Sequence, residues 1–362
     1  VLSLAFYLPQ FHPIPENDRW WGEGFTEWTK LRSARTWYPG HRIRQPIEPL
    51  GHYHLLDPAV IEAQQALAEA HGIDGFLIWD YWFGEGRRLL DAPLAMILER
   101  RLKVRYALAW ANHDWTQNFQ RTMLMKQRYL GVADYRRYFL QCLPHFRSDR
   151  YLHHRGRLLF YVYRPADMPD FPDFAACWQS LAREHALPAF HFVGDQLSRR
   201  QPRPVGLDAF TNGFGFWTNR KKLVLNFVKE KLRTKLRIQT SPQRFRFDAL
   251  LRGSIPPGAP REEVPVVITG WDTTPRHGRN GVIVDGLTPA SFRRHLDEVE
   301  RHLARQAPED RLVLVKSWNE WAEGNLLEPD SVHGHALLEE YRGFARRAAA
   351  LPPPDGSTRP TV

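Results

Sequence analysis

Short runs of consecutive apolar residues recur along the chain at 2–7, 75–79, 105–109, 158–162, 190–193, 209–211, 266–269 and 312–316. Runs of this length without alternation suit strands covered on both faces, as in parallel sheets. Most are separated by stretches with helical spacing of apolar residues, at 57–71, 89–101, 134–146, 173–185, 289–306 and 336–350. The first has a full set of end signals: Asp57 to cap the free N–H groups, Pro58 at the first helical position and Gly72 to stop the helix. Strand followed by helix, over eight strands, predicts an α/β fold, a single (β/α)8 TIM barrel with long βα loops. No repeat or linker divides the chain. Residues 1–350 are therefore expected to form one domain, and the Pro-rich 351–362 a disordered tail.

In such a barrel the carboxyl ends of the strands and the loops after them converge on one mouth. Of 13 Trp in the chain, only Trp178 falls on an expected helix. Trp20, Trp21, Trp28 and Trp37 follow the first strand, Trp79 and Trp82 the second, Trp110 and Trp115 the third, and Trp217, Trp271, Trp318 and Trp321 the last three. Each could simply pack a loop onto the rim, yet their shared position suits a sugar cleft, because indole faces stack on the C–H faces of pyranose rings. Polar groups accompany them. The expected ligand contacts are Tyr7, Gln10, His12, Glu27, Trp28, Asp80, Tyr81, Trp82, Asn112, Asp114, Trp115, Trp271, Asp272, Trp318, Asn319 and Trp321.

The sharpest constellation is Ser317-Trp318-Asn319-Glu320-Trp321-Ala322-Glu323-Gly324, directly after the last strand. Carboxylates three apart share one face of a helical turn, with Cβ atoms roughly 5–6 Å apart. Crowding them among indoles raises the pKa of one and leaves an acid and a base at the same pH. Glu320 and Glu323 are therefore the candidate catalytic pair, although either could instead cap a helix or pair with an arginine.

The chain resembles the WbsX-like, glycoside hydrolase family 99-like group, which is related to the endo-α-mannosidases of family 99. The resemblance is carried by Phe6-Tyr7-Leu8-Pro9-Gln10-Phe11-His12-Pro13, by Trp20-Trp21-Gly22-Glu23-Gly24-Phe25-Thr26-Glu27-Trp28, and by Gly72-Ile73-Asp74-Gly75-Phe76 with Tyr81-Trp82-Phe83. It continues in Trp110-Ala111-Asn112, Trp271-Asp272-Thr273-Thr274-Pro275 and Trp318 to Gly324 with Leu327-Glu328-Pro329-Asp330. It implies a (β/α)8 barrel and a retaining mechanism without an enzyme nucleophile. Glu320 would deprotonate a sugar 2-hydroxyl, which closes a 1,2-anhydro sugar, while Glu323 protonates the leaving oxygen. Ala322 stands where the endo-mannosidases carry a histidine, so mannose specificity is not implied.

Composition adds three constraints. The formal charge of +10 favours an anionic partner. Basic residues alternate with apolar ones over 220–237, a pattern that fits either a solvated helix or peripheral contact with an anionic membrane. Cys142 and Cys177 are the only cysteines and imply no disulfide framework; with the opening run 2–8 too short for a signal peptide, a cytoplasmic, possibly membrane-associated protein is expected. The pairs His52/His54, His153/His154 and His333/His335 lack a third ligand at zinc spacing, so neither metal nor cofactor is expected. The basic residues form no nucleic-acid module. The expected partner is an oligosaccharide or polysaccharide, and the expected activity is that of a glycoside hydrolase on a bacterial surface polysaccharide or its precursor. A glycosyltransferase of O-antigen or capsule biosynthesis and a noncatalytic glycan-binding module stay open. The chain has no Asp-Xaa-Asp motif and no complete Gly-rich phosphate loop, but a lipid-linked donor would need neither.

Overall fold

A computed structural model of the chain describes residues 1–117, 122–195, 197, 199, 202–212 and 241–354. The basic stretch 220–237, Trp217 and residues 355–362 lie outside the described residues.

Eight parallel strands form one sheet: β1 (Leu2–Tyr7), β2 (Gly75–Trp82), β3 (Tyr106–Trp110), β4 (Arg157–Val162), β5 (Phe190–Gly194), β6 (Ala209–Phe210), β7 (Val266–Ile268) and β8 (Leu312–Lys316). Their order is β6-β5-β4-β3-β2-β1-β8-β7, so the chain adds neighbours in sequence from β1 to β6 and places β8 and β7 on the other side of β1. Every residue of β2, β3, β5 and β8 is buried, as expected for strands covered on both faces. An isolated parallel bridge joins Phe210 of β6 to Glu263, ahead of β7: Phe210 donates its N–H to Glu262 O, and Val264 donates to Phe210 O.

The longer helices are α1 (Pro58–Ala70), α2 (Ala92–Glu99), α3 (Val132–Phe146), α4 (Phe171–Glu184), α5 (Pro289–Leu303) and α6 (Ala336–Ala349). Asp57 caps α1 by accepting the Ala59 N–H at 3.0 Å. Gly72 ends that turn at φ +82°, and a Cβ there would stand 2.5 Å from Ala345 of α6, so both the conformation and the helix contact require glycine. Trp178 of α4 is fully buried and meets Phe160 at 4.5 Å and Tyr138 at 5.2 Å between ring centroids, locking α3 and α4 over β4.

All eight expected strands are present. The second is longer than the apolar run indicates, because Tyr81 and Trp82 pair antiparallel with Leu89 and Arg88. That hairpin takes Leu89 out of the expected helix 89–101, which begins at Ala92. The tail is anchored where it starts: Arg311 donates to Leu351 O at 2.8 Å and to Pro352 O at 2.5 Å. Among the described residues no helix is long and apolar enough to cross a membrane.

Candidate active site

The segment after β8 does not continue as an α-helix. Asn319 and Glu320 pair antiparallel with Leu326 and Asn325, and a single 3-10 turn, Trp321–Glu323, closes the hairpin. Gly324 leaves that turn at φ +58°, and a Cβ there would lie 2.8 Å from Asp272 Cβ. The hairpin is fixed to the barrel from three sides. Asn319 clamps the Leu8 peptide, accepting its N–H at 2.7 Å and donating to its carbonyl at 3.1 Å. Arg44 donates to Thr269 O, Leu326 O and Asp330 Oδ2, each at 2.9 Å. Glu328 accepts three bonds, from Gln64 at 2.6 Å, Trp321 Nε1 at 2.7 Å and the Tyr53 hydroxyl at 2.9 Å.

Within this frame the two glutamates have different surroundings. Glu320 accepts the Trp79 indole N–H at 3.0 Å. Lys316, at the end of β8, is buried with its ammonium 5.1 Å from the Phe6 ring and 5.4 Å from the Trp79 ring. Burial pushes the Glu320 pKa up, but Lys316, Arg276 and the hydrogen bond from Trp79 act against it, and the carboxyl is held below its ordinary value. Burial likewise opposes the Lys316 charge, and Glu320 together with Tyr163, Asp195 and Glu323 more than restores it.

Glu323 pairs with Arg276 Nη1, and Arg276 Nη2 reaches Glu27 Oε1 at 2.7 Å. The same Glu27 oxygen accepts the Ala322 N–H at 3.0 Å, which ties the 3-10 turn to the loop after β1. Burial raises the Glu323 pKa, Arg276 opposes it, the Glu320 charge adds to it, and the result is about 7. Side by side, one carboxyl is held ionised and the other keeps its proton near neutrality. Tyr81 belongs to the same cluster: burial raises its pKa, and the charge of Glu320 raises it further.

The structure divides the expected ligand contacts. Glu27, Tyr81 and Asp272 gather around the pair, Asp272 donating its backbone N–H to Glu323 O at 2.6 Å. Trp271 lies beside Asp272 and is nearly buried. Others brace loops: Tyr7 donates to Gln64 at 2.5 Å, Trp28 Nε1 to Tyr53 O at 2.7 Å, and Trp321 to Glu328. Asn112 holds the Arg164 peptide through both its N–H and its carbonyl, and Asp114 accepts the Gln127 N–H at 2.7 Å. Gln10 accepts the Glu27 N–H through its carbonyl at 3.0 Å, and Trp115 meets Tyr81 edge-on at 5.0 Å. Trp318 and His12 are buried, and burial lowers the His12 pKa to about 4.

Asp80 and Trp82 need correction as ligand contacts. Asp80 is enclosed by Arg88 at 2.6 Å and the Tyr138 hydroxyl at 2.7 Å. Trp82 stacks on Tyr138 and donates to Asp134 at 3.0 Å. Successive residues of a strand face opposite sides, so Trp79 and Tyr81 reach the glutamates while Asp80 and Trp82 face α3. Lys316 and Arg276 were missed. Both were legible as cations beside the mouth motifs, Lys316 as the last residue before Ser317 and Arg276 directly after Trp271–Pro275.

The sequence matches the family described as Glycosyltransferase WbsX over residues 3–341. The chain belongs to the WbsX family. Two relatives, each named Uncharacterized protein WxcX, come from two strains of Xanthomonas campestris pv. campestris. They are 32% identical over 358 and 352 residues, covering 95% of this chain. The chain spans 50% of the length of each. Among solved structures, the GH99 endo-alpha-mannosidase from Bacteroides thetaiotaomicron matches with a TM-score of 0.57 at 14% identity, covering 97% of this chain and 100% of that one. A glycoside hydrolase-like protein matches with a TM-score of 0.57 at 13% identity, covering 95% of each chain. The fold is thus shared with family 99-like proteins. Among the described residues no group of three or more His, Cys, Asp or Glu is placed to hold a metal.

Proposed function

We propose that this WbsX-family chain is a retaining glycoside hydrolase of bacterial surface polysaccharide or its precursor, with Glu320 as base and Glu323 as acid. The observation that carries it is the asymmetry of the pair: Lys316 and Trp79 attend Glu320, while Arg276 and Glu27 attend Glu323. A general base must be ionised and a general acid protonated at the same pH, and opposed environments achieve that. In the first step Glu320 takes the proton of the sugar 2-hydroxyl, O2 bonds to C1, and the departing oxygen leaves with the proton of Glu323. In the second, Glu323 takes a proton from water, the water oxygen bonds to C1, and O2 leaves C1 with the proton held by Glu320. Two inversions restore the configuration. We take the Phe210–Glu263 bridge to be the seam that closes the sheet into a (β/α)8 barrel, with this pair at its mouth.

A glycosyltransferase is the second reading, favoured by the description of the family. The same first step, followed by a second in which a sugar hydroxyl takes the place of water, gives transfer. The test is a panel of bacterial polysaccharides and lipid-linked oligosaccharides, with products read by mass and Glu320→Gln and Glu323→Gln run in parallel. Released sugar that both substitutions abolish supports hydrolysis; elongated product instead supports transfer. Turnover unaffected by either substitution removes the pair from the chemistry.

A further inference from the structure

Beside the turn that carries Glu323 is a partly open cavity of about 130 Å³. An engineered cavity of roughly 150 Å³ holds one benzene ring, so this one is on the scale of a single six-membered ring. Trp321, the first residue of the turn, and Gly324, directly after it, form the wall it shares with the hairpin. Trp271 and Trp321 supply indoles, Asp272 and Asp285 carboxylates, and Arg42 and Arg44 guanidinium groups, while Tyr38 also lines it with its ring stacked on His41 and covered by the Arg244 guanidinium at 3.5 Å. Neither Glu320 nor Glu323 lines it.

An ionised carboxylate offers about four acceptor positions. On Asp272, Oδ1 receives the Thr274 N–H at 2.9 Å and its hydroxyl at 2.7 Å, while Oδ2 receives His41 Nε2 at 2.9 Å. The Trp37 N–H donates to His41 Nδ1, which fixes the ring as a donor through Nε2. On Asp285, Oδ1 receives the Tyr38 hydroxyl and Oδ2 receives Arg244 at 2.8 and 2.9 Å. Each carboxylate therefore keeps room for a donor on one oxygen, and their side chains are 16% and 20% exposed. Aromatic walls, two carboxylates able to accept hydroxyl protons and a single-ring volume are the requirements of a sugar ring.

We propose that this cavity is a second carbohydrate subsite, which takes one neutral pyranose unit of the glycan apart from the unit that reacts at the glutamate pair. The lining carries both signs, Asp272 and Asp285 against Arg42 and Arg44, which matches a neutral sugar better than a charged one. Asp272 also links the two places, because its N–H holds the carbonyl of Glu323. The inference rests on the carbohydrate-active reading above, but its readout is binding and needs no turnover.

The experiment is saturation-transfer NMR on the full chain with methyl glycosides of glucose, galactose, mannose and N-acetylglucosamine, and with methyl glucuronide for comparison. His333→Trp and Val332→Phe fill the cavity from its rim, where both residues line it half-buried. At least one neutral glycoside is expected to bind the native chain and the Glu320→Gln/Glu323→Gln double variant alike. Its affinity is expected to fall about tenfold or more, about 1.4 kcal/mol, in both cavity-filling variants, whose thermal melts stay native. Binding that survives both fillings, binding lost in the double variant alone, a preference for the glucuronide, or no binding of any glycoside overturns the subsite. Turnover at the glutamates without cavity binding sinks this inference alone, and cavity binding without turnover sinks only the catalytic proposal.

Discussion

The indole N–H of Trp79 lies 3.0 Å from Glu320 Oε1, joining the end of β2 to the hairpin after β8 across the mouth of the sheet. The bond is made to the ionised form and stabilises it. Its loss in Trp79→Phe is expected to raise the Glu320 pKa and move the acidic limb of the rate profile to higher pH. An acidic limb unchanged in that variant would show that Glu320 is not the group titrating there.

The two limbs themselves follow from the pair. On the proposed mechanism activity needs Glu320 charged and Glu323 protonated, so the rate is expected to fall above pH about 7 as Glu323 loses its proton. It falls on the acid side below the ordinary carboxylate value, as Glu320 gains one. Glu320→Gln and Glu323→Gln are each expected to lower kcat by about 10²–10⁴-fold, the usual contribution of a general acid or base. A native profile that stays flat through pH 7 would contradict this assignment of the acid.

Lys316 is the strongest favourable charge on Glu320. The groups facing that carboxylate are Lys316, Arg276, Glu323, Tyr81 and the Trp79 N–H. In Lys316→Met the Glu320 pKa is expected to rise. Glu323, on which Lys316 also acts, rises less. The bell should therefore narrow and shift upward, more on its acidic side. Loss of activity with both limbs in place would instead assign Lys316 to substrate contact.

Much of this site was legible in the sequence because strand periodicity and loop position are local properties. The eight apolar runs each became a strand, and the Trp318–Gly324 motif landed on the loop after the last one. What the runs could not show was side-chain parity. Within 79–82 every residue is aromatic or acidic, so nothing in the composition separates Trp79 and Tyr81, which face the glutamates, from Asp80 and Trp82, which face α3. The turn at 321–323 was unreadable for a similar reason. Its 3-10 form depends on Glu27 and Arg276, 295 and 47 residues away in sequence, which hold Ala322 and Glu323.

Asp80 tests that parity. Its side chain is fully buried and that of Arg88 is 8% exposed, so the pair is a buried one. Removing one partner of a buried ion pair strands the other charge and costs roughly 3–5 kcal/mol. Asp80→Ala is expected to lower the stability measured by urea denaturation by about that amount. Where the variant remains folded, KM should be close to native. A rise in KM with native stability would return Asp80 to the ligand.

Glu328 gives a stability prediction whose sign can be worked out. Burial, opposed by hydrogen bonds from Gln64, Trp321 and Tyr53, raises its pKa from the model-compound value of 4.5 to about 7. The folded state therefore binds a proton that the unfolded state has released between these two values. Its contribution is fully present below pH 4.5 and is lost as pH rises through about 7. In Glu328→Gln the group no longer titrates, although one donor of its three is left facing an amide N–H. The variant is expected to be less stable than the native chain at low pH and to lose less stability between pH 5 and pH 8. Thermal melts across that range check it. A native-minus-variant difference that stays constant with pH would mean that Glu328 is ionised throughout, held by its three donors.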